Sequence, residues 1–161
     1  MSRGSESRCL TDQQGLDTES MSVILNFEWT KIGSVEILTG TDLVFPEAPS
    51  SPGVYRFTSG NQIYIGESSN LRRRFGGFRR PGGSPDTKAP RTNRRVNRWL
   101  LNVLGESSVS DVSVEICVGG RFGVDRISGS PLDLEVHSGR LLIENAAITE
   151  ARSLGFELIN L

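Results

Sequence analysis

Short apolar runs rich in β-branched residues occupy Ser22–Glu28, Ser34–Leu38 and Leu43–Phe45. Gly and Thr separate them, and runs of this kind predict strands. Pro46–Pro52 is a Pro/Ser turn. Beyond it, Gly53–Thr58 and Gln62–Gly66 read as two strands joined at Ser59-Gly60-Asn61, a β-hairpin. The periodicity then changes. Ser69 or Asn70 can N-cap a helix running through Phe75. Arg79–Pro90 contains Pro81, Gly82, Gly83, Pro85 and Pro90 and predicts a loop. Thr92 can cap a helix to about Leu104, with Val96, Leu100 and Val103 on one face. Val112–Val118 predicts a strand, Gly119–Ser130 a Gly-rich connection, Leu132–Leu154 a helix and Phe156–Leu161 a last short strand. This order predicts an α+β fold, a small central antiparallel or mixed sheet flanked by helices, with a short N-terminal β extension.

A length of 161 residues suits one compact domain. Residues 1–21, polar and Ser-rich, read as a disordered leader, 22–50 as the β extension, and 51–161 as the main domain with a basic insertion at 79–98. No apolar run approaches the roughly 18 residues of a membrane helix, so no membrane partner is expected. The leader lacks the apolar stretch of a secretory signal. Cys9 and Cys117 are not expected to pair, which points to a reducing, cytoplasmic compartment. Two cysteines and a single histidine nearly exclude a Cys/His zinc site.

Net charge is -1, yet its distribution is uneven. The stretch from Arg72 to Arg98 holds ten of the 18 Lys+Arg and one acid, Asp86, or 10 - 1 = +9. Residues 1–50 carry 3 - 8 = -5 and residues 99–161 carry 4 - 9 = -5. A basic segment in an otherwise acidic chain is where a polyanion would dock, although a charge run can also be a solvated loop. The nucleic-acid-binding candidates are Arg72, Arg73, Arg79, Arg80, Lys88, Arg91, Arg94, Arg95 and Arg98. Arg94 and Arg98 stand four apart on the second helix and share a face. Trp99 beside them reads as core rather than as a base-stacking residue.

Candidate chemistry lies on either side of this segment. Gly53-Val54-Tyr55 is followed, nine residues after Tyr55, by Tyr64-Ile65-Gly66, and Arg74 stands eight residues past that glycine. Far downstream, Glu144 sits in the helical stretch Leu141–Ile148, and Asn160 lies near the C-terminus. Together these resemble the GIY-YIG nuclease family, in particular its poorly characterised bacterial members, over roughly residues 52–161. The resemblance implies a metal-dependent endonuclease acting on nucleic acid, most simply DNA, and admits a homo-oligomer. It implies Tyr55, Tyr64, Arg74, Glu144 and Asn160 as catalytic residues, and Glu144 as the holder of Mg²⁺ or Mn²⁺. Gly53 and Gly66 would be structural, allowing close backbone approach.

Phosphodiester hydrolysis needs those residue types. A divalent cation held by Glu144 can neutralise charge on the phosphorane and help the leaving oxygen. Arg74 offers a permanent bidentate clamp for non-bridging oxygens. A phenol would position or deprotonate water, Tyr55 as first choice with Tyr64 as its partner. Asn160 would orient the phosphate or the water network.

Two positions depart from the family pattern. Phe78 stands four residues after Arg74, where many relatives carry a proton-transferring His or Tyr. Glu67 follows the second glycine where an excision-repair relative has a lysine; it could approach the metal or remain a solvated carboxylate. A helix ion pair with Arg140 at i-4 is the plain reading of Glu144, and a structural role that of His137. These departures motivate the alternative function, a catalytically weakened nucleic-acid-binding module on the same fold.

Overall fold

The computed structural model describes residues 22–79, 91–106, 111–124 and 129–160. In chain order the elements are β1 (Val23–Phe27), β2 (Thr30–Thr39), β3 (Asp42–Val44), β4 (Gly53–Ser59), β5 (Gln62–Ser68) and α1 (Leu71–Arg79). Then follow α2 (Arg91–Gly105), β6 (Val112–Cys117), β7 (Gly120–Val124), β8 (Ser130–Pro131), α3 (His137–Ser153) and β9 (Glu157–Leu158). The fold is α+β. Its larger sheet runs β3-β2-β6-β4-β5-β9, and a smaller one runs β1-β7-β8. The leader 1–21 lies outside the described residues, as does most of the expected loop 79–90.

The β4–β5 hairpin forms as its alternating pattern requires, with Tyr55 opposite Gly66 and Phe57 opposite Tyr64. Both of its faces are covered. Tyr55, Phe57 and Tyr64 enter a core with Phe75 and Phe78 of α1 and Val96 and Leu100 of α2. Val54, Ile63 and Ile65 enter a second core with Ile143, Ala147 and Ala151 of α3. Successive strand residues point to opposite faces, so one apolar hairpin can bind helices on both sides.

Three elements differ from the sequence expectation. β2 is longer than Ser34–Leu38, and it pairs with β6 through a register shift between Lys31 and Gly33, where Gly33 has φ 144°. Residues 30–44 thereby supply two strands to the same sheet as the hairpin. Part of the expected connection 119–130 is strand β7, paired with β1. The last helix starts at His137 rather than Leu132. Ahead of it the Leu132 N–H donates to the Gly120 carbonyl, and the Asp133 carboxylate accepts the Glu135 N–H, a turn that delays the helix.

β9 pairs with β5 in parallel at Gln62 and Ile63 only. The outer edge of β5 beyond Ile63 is therefore open to side chains from both layers, and the candidate site forms there.

Candidate active site

Helix α1 is anchored before its first turn. The Asn70 carboxamide oxygen accepts the Arg73 N–H at 2.8 Å, an N-cap. The N–H groups of Leu71 and Arg72 donate to the carbonyls of Ser51 and Pro49. This places Arg74, one turn in, against the hairpin. Its Nε donates to the Tyr55 hydroxyl at 2.9 Å, and its Nη1 to Asn93 Oδ1 of α2, also at 2.9 Å. The Phe78 ring lies 4.8 Å beneath the guanidinium. Burial disfavours the Arg74 cation, but the phenols of Tyr55 and Tyr64 outweigh it and its pKa is raised.

Both tyrosines are buried in the same core, Tyr64 at 3 % exposure, and of the two only Tyr64 has an edge on the cleft. Tyr55 is fully buried, its ring 5.4 Å from that of Phe75 and 6.1 Å from that of Tyr64. Its hydroxyl lies over Gly66, where a Cβ would stand 2.6 Å from the phenol oxygen. Gly66 is thus needed for close approach, as is Gly53, where a Cβ would meet the Cys117 carbonyl at 2.7 Å. Burial, reinforced by Tyr64, pushes the Tyr55 phenol well above its ordinary range despite Arg74. Its hydroxyl accepts the Arg74 Nε–H and it does not line the cleft, so Tyr55, the expected general base, is placed to hold the guanidinium rather than to meet a water there. Tyr64 lines an open cleft with Gly66, Glu67, Arg74, Arg95 and Glu144.

Glu144 reaches this cleft from α3, on the opposite layer from α1. It does not pair with Arg140. Arg140 is buried and donates to the Glu67 carboxylate at 2.5 Å and to the carbonyls of Leu134 and Glu135. Glu67 is thereby held at the cleft, with His137 Nε2 at 3.6 Å from its other oxygen. The Glu144 carboxyl pKa is raised, first by burial and then by the charge of Glu67, while His137 and Arg74 act the other way. It has no hydrogen bond or ion pair with any described residue. A half-buried carboxylate of this kind, facing a cleft beside a second carboxylate, suits a hard divalent cation that keeps most of its waters. Among the described residues no group of three or more His, Cys, Asp or Glu is placed to hold a metal. Glu144 would carry the protein's share, with water and a phosphate oxygen completing the shell.

The remaining candidates divide. Asn160 spends both ends of its carboxamide on the β5 backbone, accepting the Ile65 N–H at 3.0 Å and donating to the Ile65 carbonyl. That extends the pairing of the strand edge and leaves one Nδ2 hydrogen at the cleft, which Asn160 also lines. Arg72 is tied to the Ala48 carbonyl and to Glu47. Arg79 borders grooves with Phe45 and Leu43, away from the cleft. Arg73 lines a second polar cleft that shares Arg74 and Glu67 with the first. Arg91, Arg94, Arg95 and Arg98 are exposed on α2, and Arg95 Nη2 reaches the Asn160 carbonyl at 2.9 Å. Arg80 and Lys88 lie outside the described residues. Trp99 packs against the larger core and donates to Gln62. Asn93 was not singled out from sequence; its trace is two asparagines four apart, Asn93 and Asn97, on the apolar face of α2.

No protein-family model, curated protein or solved structure matches this chain. No described helix is long and apolar enough to cross a membrane.

Proposed function

We propose that this protein is a metal-dependent endonuclease of GIY-YIG type that hydrolyses phosphodiester bonds of DNA. One observation carries the reading: Tyr64, Arg74 and Glu144, from three separate segments, line one cleft. The family pattern requires that convergence, and composition does not. The exposed arginines of α2 border the cleft through Arg95 and offer phosphate contacts.

In this mechanism the free N–H groups of Arg74 hold the non-bridging oxygens of the scissile phosphate and offset the charge that grows on them. Tyr64, which lines the cleft beside Arg74, orients the attacking water, whose proton passes through the phenol to solvent in the cleft. Tyr55 acts behind Arg74 by fixing the Nε side of the fork. Glu144 would hold Mg²⁺ or Mn²⁺, and the ion, when bound, supplies Lewis-acid stabilisation of the leaving oxygen. Phe78 transfers no proton, but its ring supports the guanidinium.

The test incubates supercoiled plasmid and branched DNA with Mg²⁺ or Mn²⁺, using wild-type protein and Glu144→Ala. Cleavage that is abolished by the substitution is the expected result. Salt-sensitive binding without cleavage by the wild type would replace this reading with the second one, a nucleic-acid-binding module. The burial of Tyr55 and the presence of Phe78 at a proton-transfer position favour that alternative.

A further inference from the structure

Arg74 carries five N–H donors in a rigid fork. Nε is committed to Tyr55 and one Nη1 hydrogen to Asn93, the Tyr64 hydroxyl also draws on the fork, and the remaining donors face the cleft. A guanidinium held only at Nε can still swing about its last side-chain torsions. Anchored at Nε and Nη1 and supported on the Phe78 ring, it has one orientation. The second anchor comes from α2, outside the segment that carries the sequence motif.

We propose that Asn93 is a positioning residue for Arg74, and that Gly77 is the gap in α1 that lets Asn93 reach it. This rests on the reading of Arg74 as the phosphate clamp. Asn93 is buried, so its amide is not a chance surface contact. A Cβ at Gly77 would stand 3.0 Å from Asn93 Nδ2, tight enough to displace the amide by a few tenths of an ångström. Gly77 does not have positive φ and lies inside a helix, where glycine is unfavourable relative to alanine. Backbone conformation gives no reason for a glycine there, and room for Asn93 does.

Docking of α2 does not depend on this contact. Asn97 donates to the Phe78 carbonyl at 2.7 Å, and Val96, Leu100 and Val103 fill the core. Asn97 joins the two helices, and Asn93 aims the cation between them. A misaimed clamp would cost the chemical step more than it costs substrate binding, because the arginine meets its full charge only in the transition state.

The test compares Asn93→Ala, Asn93→Asp and Gly77→Ala with wild type. Asn93→Ala should lower kcat about 10- to 100-fold, the scale of a small misplacement of a catalytic group, with KM changed less than about threefold. Asn93→Asp restores an acceptor and should recover most of that loss. Gly77→Ala should melt at the wild-type temperature or above yet lose activity several-fold, which a merely structural role of Gly77 would not produce. A second readout needs no substrate. The Arg74 Nη1–H signals followed by NMR in metal-free protein should exchange slowly in wild type and in Asn93→Asp, and quickly in Asn93→Ala. If wild type cleaves nothing, the nuclease reading fails while this exchange still decides the role of Asn93. Exchange and kcat both within twofold of wild type in Asn93→Ala would overturn the proposal. So would a Gly77→Ala variant that keeps full activity together with an unchanged Asn93 environment. Should Asn93→Ala fail to fold, Asn93→Asp and Gly77→Ala decide by the same criteria.

Discussion

The two tyrosines of the hairpin should separate cleanly on replacement by phenylalanine. Tyr55→Phe removes the acceptor of the Arg74 Nε–H from a site where Tyr55 is fully buried. A hydrogen bond to a charged group contributes about 1.5–3 kcal/mol. At roughly 2–4 °C per kcal/mol for a chain of this size, Tm should fall by about 3–12 °C. The phenol adds a pH signature. Its folded pKa is raised by burial, so the folded state keeps the proton where the unfolded chain, with a pKa of about 10, releases it. Stability from Tyr55 is then complete below pH about 10 and declines above it, so the gap between wild type and Tyr55→Phe should narrow in alkali. Tyr64→Phe should instead cost activity, about 10²- to 10⁴-fold in kcat if Tyr64 handles the proton of the attacking water. Thermal melts across pH, paired with single-turnover cleavage, read both effects. A Tyr55→Phe variant that melts like wild type but loses cleavage and the shape of its pH–rate profile would refute the assignment. It would make Tyr55 the proton acceptor after all.

Glu144→Gln should abolish cleavage yet leave the metal-free protein, in EDTA, at least as stable as wild type. The folded carboxyl pKa is raised, so wild-type stability falls as pH rises through the carboxylate range, and the amide escapes that loss. The same shift predicts that cleavage declines on acidification at a pH above the ordinary carboxylate value of 4.5. Replacing Arg94 and Arg98 together by glutamine should weaken binding to all DNA sequences alike and flatten the salt dependence by up to about 1.8 in log–log slope, measured by titration at several salt concentrations.

The hairpin was legible because its signals agree. Strand alternation, the Ser59-Gly60-Asn61 turn and apolar residues on both faces all specify the same pairing. β2 was only half legible, since Gly33 at the bulge with positive φ reads as a break in sequence but as a bend in an unbroken strand. β7 was hidden by its glycines. Gly120 is there for packing, since a Cβ would stand 3.0 Å from Ile143 Cδ1, and a local reading has no access to such a contact. At the site, residue types and spacing pointed to Tyr64, Arg74 and Glu144. The burial of Tyr55, the turn of Asn160 onto Ile65 and the reach of Asn93 depend on partners far away in sequence, and no spacing rule encodes them.

The arginines show how function separates from charge. The run 72–74 reads as three equivalent cations, yet Arg72 is spent on Ala48 and Glu47, while Arg74 is held by Tyr55 and Asn93 and still lines the cleft. Arg140, outside any basic run, is buried and engaged at both Nε and Nη1. By taking Glu67 it leaves Glu144 unpaired. A buried ion pair whose partners satisfy each other contributes order more than free energy. Here that order decides which carboxylate remains available. Truncating Arg140 would release Glu67 to compete for the charge in the cleft, so a residue that does not line that cleft governs which carboxylate stays available in it.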